Sequence, residues 1–419
     1  MAPFGREGRE LKGNMSKSRT QNWAILIALA VGCLLAVMGG LWMFLSATTK
    51  RLHPNPAEVP SATRSAPLPN WADAVAQGRQ IVRAGISERN LPGLSVAVGV
   101  GGDIVWAEGF GWADLEKRVP VTPEMKFRIG TASIALTSAA VGLLLEQKRL
   151  KLDEEIQTYV PEFPKKQWPV TLRQLMGHVA GLSTDTDDEG PYGERCEQTV
   201  EGIKLFKDQT LLFEPGTKYS FSSFGWILVS AAVEAAAGEP FFAYMQKQIF
   251  EPLGMNDTMA DSIDPIPNRA TFYFPRFAAD PRYGLHFALP INYSCYTGSS
   301  AFLSTPSDLA RFGMAINGGK LLQPATLELL QTSHRLLSGE ETGYGLGWDL
   351  ETVALAGKQT RVVGHDGNSI GGMVASFMMF REQGIVVAVT ANISHADTFS
   401  IAVKIAQAFA NQGRSPAGK

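Results

Sequence analysis

One uninterrupted apolar run divides this chain before any other feature is considered. Residues 24–45 read AILIALAVGCLLAVMGGLWMFL, a stretch of 22 residues without a charged side chain. A helix of that length spans about 33 Å, enough to cross a hydrocarbon core of about 30 Å. Trp23 and Trp42 lie near its two ends, where interfacial tryptophans are common. The sequence therefore predicts a transmembrane helix over residues 22–45.

The charges in front of this run predict its orientation. Five basic residues precede it, namely Arg6, Arg9, Lys12, Lys17 and Arg19. Basic residues favour the cytoplasmic side, so we expect a cytoplasmic segment at 1–21 and a single-pass inner-membrane protein with a periplasmic domain. A cleaved signal peptide is the competing interpretation, but its apolar core is usually only about 7–15 residues long. Whether translation starts at Met1 or Met15 changes nothing in this reasoning.

The composition after the apolar run predicts a linker and then one large domain. Residues 46–70 are polar, lack periodicity and carry five prolines, at positions 54, 56, 60, 67 and 69. Such a segment is typical of a semi-extended tether. Residues 71–412 are long enough for one large domain, and 413–419 are expected to be a disordered tail.

Strand patterns occur near both ends of that domain, and helical patterns dominate its middle. Apolar residues over 94–100 and 104–109 flank the turn Gly101-Gly102-Asp103, and those over 372–380 and 385–389 flank a second turn. Both patterns are typical of β-hairpins. We therefore predict an α/β fold of the α+β type. An antiparallel sheet of N- and C-terminal strands is flanked by helices, with a mostly helical region inserted between them.

Several classes of function are disfavoured by composition. A net charge of −2 and a pI near 6.3 give no concentrated basic face for nucleic acid. The six histidines form no HxH or HExxH pair, so we expect no metal site, and no cofactor motif is present. Cys196 and Cys295 could pair in an oxidising compartment, although two separate buried thiols are the commoner arrangement.

One segment, residues 127–146, has the pattern of an active-site helix. Residues 127–146 read FRIGTASIALTSAAVGLLLE, in which an aromatic residue, an arginine and a glycine precede small hydroxylic residues and a long apolar run. Other landmarks lie on both sides of this motif and are, in chain order, Leu91-Pro92-Gly93, GFGWAD at 109–114, LMGHVAGL at 175–182, EPG at 214–216, EPLGM at 251–255, STPSDLARF at 304–312, YGLGW at 344–348 and GHDG at 364–367. Over roughly residues 75–410 the chain resembles the serine beta-lactamase and penicillin-binding-protein-like hydrolases. The resemblance implies a transpeptidase-like fold with a cleft between the sheet and the helical region.

The resemblance also places the catalytic motifs of that family on this chain. The family uses a serine and a lysine in S-x-x-K, a tyrosine in Y-x-N, and a third motif, K-T-G or H-x-G. Here Thr131 and Ile134 occupy the serine and lysine positions, and Phe221 and Ser223 occupy the tyrosine and asparagine positions. The third motif is intact as His365-Asp366-Gly367. Isoleucine cannot accept a proton, so the usual base is lost.

Roles for the remaining candidates follow from this comparison. Thr131 is either a nucleophile or only a helix N-cap, and Ser133 is either a substitute nucleophile or a hydroxyl bonded to its own helix. His365 could replace the base, since its reference pKa of about 6.5 suits neutral pH, or it could contact substrate or be structural. The resemblance implies an oxyanion hole formed by the backbone N–H groups of Thr131 and Asn368. It also implies a set of substrate-binding residues: Phe221, Ser223, Asp366, Gly367 and Asn368.

Two functions are compatible with this pattern. The first is a membrane-anchored hydrolase related to beta-lactamases that acts on an amide or ester substrate, such as a cell-wall peptide. The second is a pseudoenzyme that binds such a peptide or muropeptide without turning it over. The lost lysine and tyrosine favour the second as a mechanism. The expected partners are small acyl compounds or peptides, together with the membrane and without nucleic acid.

Overall fold

The computed structural model describes residues 10–183 and 195–413. They form two compact units, divided between Lys50 and Arg51. The first contains helix α1 (Glu10–Thr48), of which Ile25–Thr48 is long and apolar enough to cross a membrane. The predicted tail at 413–419 lies outside the described residues except for Gly413, and so does the predicted cytoplasmic segment up to residue 9.

The second unit contains the remaining elements. Its strands are β1 (Ser61–Thr63), β2 (Gly93–Val100), β3 (Asp103–Asp114), β4 (Val119–Pro120), β5 (Phe127–Arg128), β6 (Met259–Ala260), β7 (Tyr273–Pro275), β8 (Leu285–Phe287), β9 (Phe302–Ser304), β10 (Asp349–Leu355), β11 (Lys358–Ser369), β12 (Met373–Phe380) and β13 (Ile385–Ala391). Its helices are α2 (Ala72–Arg89), α3 (Ser133–Glu146), α4 (Leu172–Met176), α5 (Ser223–Ala237), α6 (Phe241–Met245), α7 (Thr297–Ser300), α8 (Pro306–Asn317), α9 (Pro324–Leu330) and α10 (Thr398–Gln412).

The main sheet confirms the predicted architecture. Its strand order is β1-β3-β2-β13-β12-β11-β10, with β4 pairing on β3, and every pairing is antiparallel. Strand β2 pairs with β13 in the register Ala97↔Ala388, so the two ends of the domain meet in the middle of the sheet. Both predicted hairpins, β2–β3 and β12–β13, are present. The helical region lies between β5 and β9 in the chain.

Alternation along the strands gives the sheet two buried faces. Val96 and Val98 pack in one core cluster with residues of α2 and α10, whereas Ala97 packs in the other with α3, α5 and α8. This follows from the two-residue period of a strand, which sends successive side chains to opposite faces. On β11, Val362 lies on the α10 face and Val363 on the α3 face. This parity fixes the orientation of the third motif farther along the same strand.

The tether predicted for residues 46–70 is wrong for residues 51–63. His53 is buried and its Nε2 lies 3.1 Å from the Pro92 carbonyl oxygen. The Gly111 N–H donates to the Pro60 carbonyl at 2.9 Å, and β1 then pairs with β3 in the register Ser61↔Phe110. Proline is tolerated at the edge of a sheet as well as in a free linker, so proline content alone does not distinguish a tether from a packed segment.

The expectation that Cys196 and Cys295 are two separate buried thiols is also wrong. Cys196 and Cys295 form a disulfide, with an S–S distance of 2.06 Å and a sequence separation of 99. The bond joins the segment in front of a 3₁₀ turn (Thr199–Leu205) to the turn that precedes α7. It therefore cross-links two parts of the helical region that are distant in sequence.

Candidate functional site

The site is built where strand β11 passes directly beside the turn that opens helix α3. Gly130 lies in this turn, with φ = +53°, a left-handed conformation that favours glycine. A Cβ at Gly367 would lie 2.3 Å from the Ile129 carbonyl oxygen and 2.7 Å from the Ala132 nitrogen. Only glycine lets the two backbones approach this closely. The third motif therefore lies against the first, as the family resemblance implied.

The Thr131 hydroxyl does not cap helix α3. No side chain caps the start of this helix, and the Thr131 Oγ1 instead donates to the Asp366 carbonyl oxygen at 3.4 Å. Thr131 keeps only 9% of its surface exposed. The capping role expected for Thr131 is therefore wrong, and its hydroxyl points toward strand β11.

The two residues that follow in the motif are buried. Ile134 is fully buried in the core, in the position where the family has its lysine. Ser133 is also fully buried, and its Oγ has no hydrogen-bond partner among the described residues. The expected bond from Ser133 to its own helix is therefore absent. A buried hydroxyl without access to a ligand is poorly suited to act as a nucleophile.

Neighbouring cations do not replace the missing amine. The Lys126 Nζ lies 2.8 Å from an Asp257 carboxylate oxygen. The Arg128 Nε donates to the Asp261 carboxylate at 2.7 Å, and the guanidinium lies within 4.5 Å of the Phe272 ring centre and 4.9 Å of that of Tyr293. Both cations are neutralised by carboxylates. In the part of the chain that the structure describes, the Asp366 carbonyl is the hydrogen-bond partner of the Thr131 hydroxyl.

The second motif is held by an aromatic stack. Phe221, in the tyrosine position, stacks on the ring of His178 with centroids 4.3 Å apart. The His178 ring also faces two donors, the Ser222 N–H at 3.1 Å and the Trp226 indole N–H at 3.3 Å; a neutral imidazole accepts from one of them at a time. Ser223 is buried at the first position of α5.

His178 has a structural role in the turn that follows α4. Burial lowers the pKa of His178 to about 3, with a smaller contribution from the charge of His365. The imidazole is therefore neutral at physiological pH. Its φ of +57° is a left-handed conformation that connects α4 to the following loop. It supports Phe221 by stacking and has no role in proton transfer.

His365 belongs to a chain of polar groups that the sequence did not reveal. Its Nε2 lies 2.9 Å from the Tyr344 hydroxyl, and its Nδ1 lies 3.2 Å from the Asp366 carbonyl and 3.7 Å from an Asp349 carboxylate oxygen. A proton on Nδ1 satisfies both acceptors and leaves Nε2 to accept from Tyr344; this tautomer is assigned from the contacts. Burial raises the pKa of Tyr344 well above its ordinary value, so its phenol stays protonated.

The hydrogen bond between His365 and Tyr344 bears on whether His365 could act as the base for Thr131. As a base for Thr131, His365 would have to lie within hydrogen-bond distance of the threonine hydroxyl. In the described structure its Nε2 is instead engaged by Tyr344. Tyr344 lies in the YGLGW landmark, 21 residues before His365, and the landmark alone gives no sign that the two side chains meet.

Asp366 faces the opposite side of the sheet. Its carboxylate accepts a hydrogen bond from Ser376, whose hydroxyl also contacts Thr398 at the start of α10. Burial raises the pKa of this carboxyl, and the Ser376 hydroxyl partly opposes that effect. The expected contact of the Asp366 side chain with substrate is therefore wrong; its carbonyl oxygen is the group that faces Thr131.

Asn368 and Gly367 complete the described site. The Asn368 Oδ1 accepts a hydrogen bond from the His395 N–H at 2.9 Å, so this side chain ties β11 to the loop before α10. Gly367 contributes its small size, as described above. Within residues 10–183 and 195–413, no group of three His, Cys, Asp or Glu side chains could hold a metal ion.

Comparison with known proteins agrees with this geometry. The profile of the beta-lactamase family matches residues 78–411. The chain belongs to the beta-lactamase family.

Individual relatives extend this assignment. The chain is 28% identical to the human serine beta-lactamase-like protein LACTB, mitochondrial, over 81% of this chain and 80% of that protein. Among solved structures, the octameric penicillin-binding protein homologue from Pyrococcus abyssi superposes with a TM-score of 0.66 at 26% identity, covering 78% of this chain and 76% of that one. The D-amino acid amidase from Ochrobactrum anthropi SV3 shares the fold, with a TM-score of 0.68 at 22% identity over 81% and 99% of the two chains.

Proposed function

We propose that this protein binds an amide or ester ligand, such as a cell-wall peptide, in the cleft beside Thr131 without turning it over at the rates of serine hydrolases. One observation carries the proposal. The Thr131 hydroxyl is bonded to the Asp366 carbonyl, and Ile134, in the lysine position, is part of the core. A hydroxyl that donates to a carbonyl has no group to receive its proton.

The size of the loss supports binding over catalysis. A positioned general base typically contributes about 10²–10⁴-fold to the rate. In a hydrolase whose catalytic side chains are removed, binding and the oxyanion hole still give about 10³–10⁴-fold over water. We therefore expect, at most, slow hydrolysis of activated esters.

The retained backbone geometry supports a ligand site. The expected oxyanion hole uses the N–H groups of Thr131 and Asn368, which side-chain replacement does not remove. Gly367 keeps β11 in close contact with the turn that contains Thr131. A carbonyl oxygen of the ligand would be received between these two segments.

The location of the domain is part of the same proposal. The apolar helix Ile25–Thr48 would anchor the chain in the inner membrane, with residues 1–21 in the cytoplasm and the folded domain in the periplasm. The disulfide between Cys196 and Cys295 supports an oxidising compartment for the domain. Treating intact cells with a protease that cannot enter the cytoplasm, after opening of the outer membrane, tests this: loss of the domain is expected, and its protection would contradict the orientation.

Intact-protein mass spectrometry tests the absence of turnover. The full-length protein in detergent is incubated with a nitrophenyl ester or a labelled penicillin. We expect no stable adduct, and equal nitrophenol release by the native protein and the Thr131→Ala variant. An acyl adduct that disappears in Thr131→Ala would overturn the proposal. Muropeptide binding measured by calorimetry completes the test, because an absence of binding would also contradict it.

A second function is favoured by the polar chain of Tyr344, His365 and Asp349. Carboxylate, imidazole and phenol in series form a relay for a proton, and ligand binding would bring the phenol to the Thr131 hydroxyl. The protein would then be a slow hydrolase. In that case Tyr344→Phe, His365→Gln and Thr131→Ala should each lower ester hydrolysis by about 10²-fold or more. Unchanged hydrolysis in all three variants excludes this mechanism.

A further inference from the structure

Two adjoining cavities lie apart from the cleft, where helices α8 and α9 meet the end of the main sheet that carries the β2–β3 and β12–β13 turns. One, of about 550 Å³, is lined by the β2–β3 turn, the end of α8 and the β12–β13 turn. The other, of about 430 Å³, is lined by the end of α8, helix α9 and Arg361 of β11. Arg381 and Asn317 line both cavities. None of the residues of the cleft described above lines either one.

The walls of these cavities carry an excess of positive charge. Lys320, Arg361 and Arg381 form no ion pair with any described carboxylate, in contrast to Arg311, which lies 2.7 Å from Asp308. Burial and the neighbouring charge of Arg361 lower the pKa of Arg381, as expected when two guanidinium groups face the same space. The concentration of cations favours an anion as the occupant.

Buried amide groups line the same space without partners. Gln331 is only 2% exposed, and neither its Oε1 nor its Nε2 has a hydrogen-bond partner in the described structure. The Asn317 Nδ2 is likewise buried and unpartnered, while its Oδ1 accepts from the Arg381 Nε at 3.3 Å. The Arg361 guanidinium donates to the Gln331 carbonyl oxygen. Leaving such groups unpaired is unfavourable, so a ligand that bonds to them is stabilised.

We propose that the cavity between α8, α9 and β11 binds a phosphate group. A phosphate accepts several hydrogen bonds at once, which matches the two guanidinium groups of Arg361 and Arg381. Rotation of the buried Asn317 and Gln331 side chains toward the ligand would add their amide nitrogens. A protonated phosphate oxygen can also donate to the Gln331 Oε1. The volume of the cavity leaves room for the ester side of a small phosphate ester or a phospholipid headgroup. Glu328, the only acidic residue among those lining either cavity, opposes the anion.

Titration calorimetry with inorganic phosphate tests the site. The full-length protein in dodecyl maltoside micelles is titrated with phosphate at constant ionic strength, with acetate as the comparison anion. We expect saturable phosphate binding, weakened about tenfold or more in Arg361→Gln and in Arg381→Gln. Glu328→Gln should bind more tightly than the native protein. Arg118→Gln, an exposed arginine in the turn between β3 and β4, is the matched control and should change nothing.

Several results would overturn the proposal. They are the absence of saturable binding to the native protein, an affinity in both cavity variants as high as that of the native protein, and acetate binding as tight as that of phosphate. Should Arg381→Gln unfold, Arg381→Lys keeps the charge and Arg361→Gln still tests the site. Repeating the titration in nanodiscs identifies the source of the phosphate. A lower apparent affinity in phosphatidylglycerol than in phosphatidylcholine discs indicates a lipid headgroup, and equal affinities indicate a free phosphate ester.

Discussion

The buried ion pair behind the first motif gives the sharpest test of how the site is supported. Arg128 contacts Asp261 at 2.7 Å, with only 7% and 3% of the two side chains exposed. The guanidinium also lies 4.5 Å from the Phe272 ring centre and 4.9 Å from that of Tyr293. A further bond of 3.1 Å reaches the Gly371 carbonyl, beyond the end of β11. This one side chain therefore joins β5 to the loop that follows the third motif.

Replacing Arg128 by alanine should lower the free energy of unfolding by about 3–5 kcal/mol, because it leaves a buried carboxylate without its main partner. Arg269 lies 3.5 Å from the other Asp261 oxygen and is 21% exposed, so it compensates part of the loss. The lost contacts with two aromatic rings add about 1 kcal/mol each. The net expectation stays within the range given.

Urea unfolding of the full-length protein in detergent, followed by tryptophan fluorescence, measures this loss. Arg335→Ala is the matched control, since its pair with Glu341 is 65% and 53% exposed and should contribute less than about 1 kcal/mol. The double variant Arg128→Met, Asp261→Leu should recover much of the stability, because it leaves no uncompensated carboxylate. A loss for Arg128→Ala no larger than that of Arg335→Ala would refute the reasoning.

Three further predictions concern stability. The pKa of His178 is lowered to about 3 in the folded protein, so below pH 6.5 the unfolded chain binds a proton at this residue that the folded protein does not. The free energy of unfolding should therefore fall by about 2 kcal/mol between pH 7 and pH 5. An equal fall in His178→Asn, which tolerates the positive φ, would argue against His178 as the source. Gly367→Ala should cost about 1–3 kcal/mol by overpacking and abolish ligand binding, whereas Gly225→Ala, whose Cβ would meet nothing closer than 3.5 Å, should be neutral or stabilising in the same urea titration. Cys196→Ala should lower the unfolding free energy by about 2–5 kcal/mol, and a thermal midpoint unchanged by the substitution would contradict a structural disulfide.

The sheet could be predicted from the sequence because its signals are local. Alternation over 94–100, the β-branched and apolar residues over 385–389, and the turn residues beside each segment identify both hairpins. The packing of residues 51–63 could not be predicted, because prolines occur both in free linkers and beside edge strands. The disulfide between Cys196 and Cys295 depends on a contact across a sequence separation of 99, which no local pattern encodes.

The sequence indicated which segments form the candidate site, but not which side chains contact one another there. The family resemblance related Thr131 to the strand of His365, and the Thr131 hydroxyl lies beside that strand. The expectation that His365 and Asp366 both face the cleft conflicts with strand geometry, since consecutive residues point to opposite faces, and that principle alone could have rejected one of them. The contact between Tyr344 and His365 depends on how the chain before β10 folds back, which the sequence does not specify.

The replaced positions form a mutually consistent set, and this consistency favours binding over a damaged catalytic centre. Ile134 fills the core, Phe221 stacks on His178, and the Thr131 hydroxyl is bonded to a carbonyl. Each substitution therefore lies in a packed or hydrogen-bonded environment instead of leaving a cavity. A lysine returned to position 134 alone would bring an ammonium group into the core without a phenol at 221 to share its proton, and it would be destabilising. A return to the family's chemistry thus requires several changes at once, whereas the proposed binding of a ligand carbonyl by backbone N–H groups requires none of these side chains.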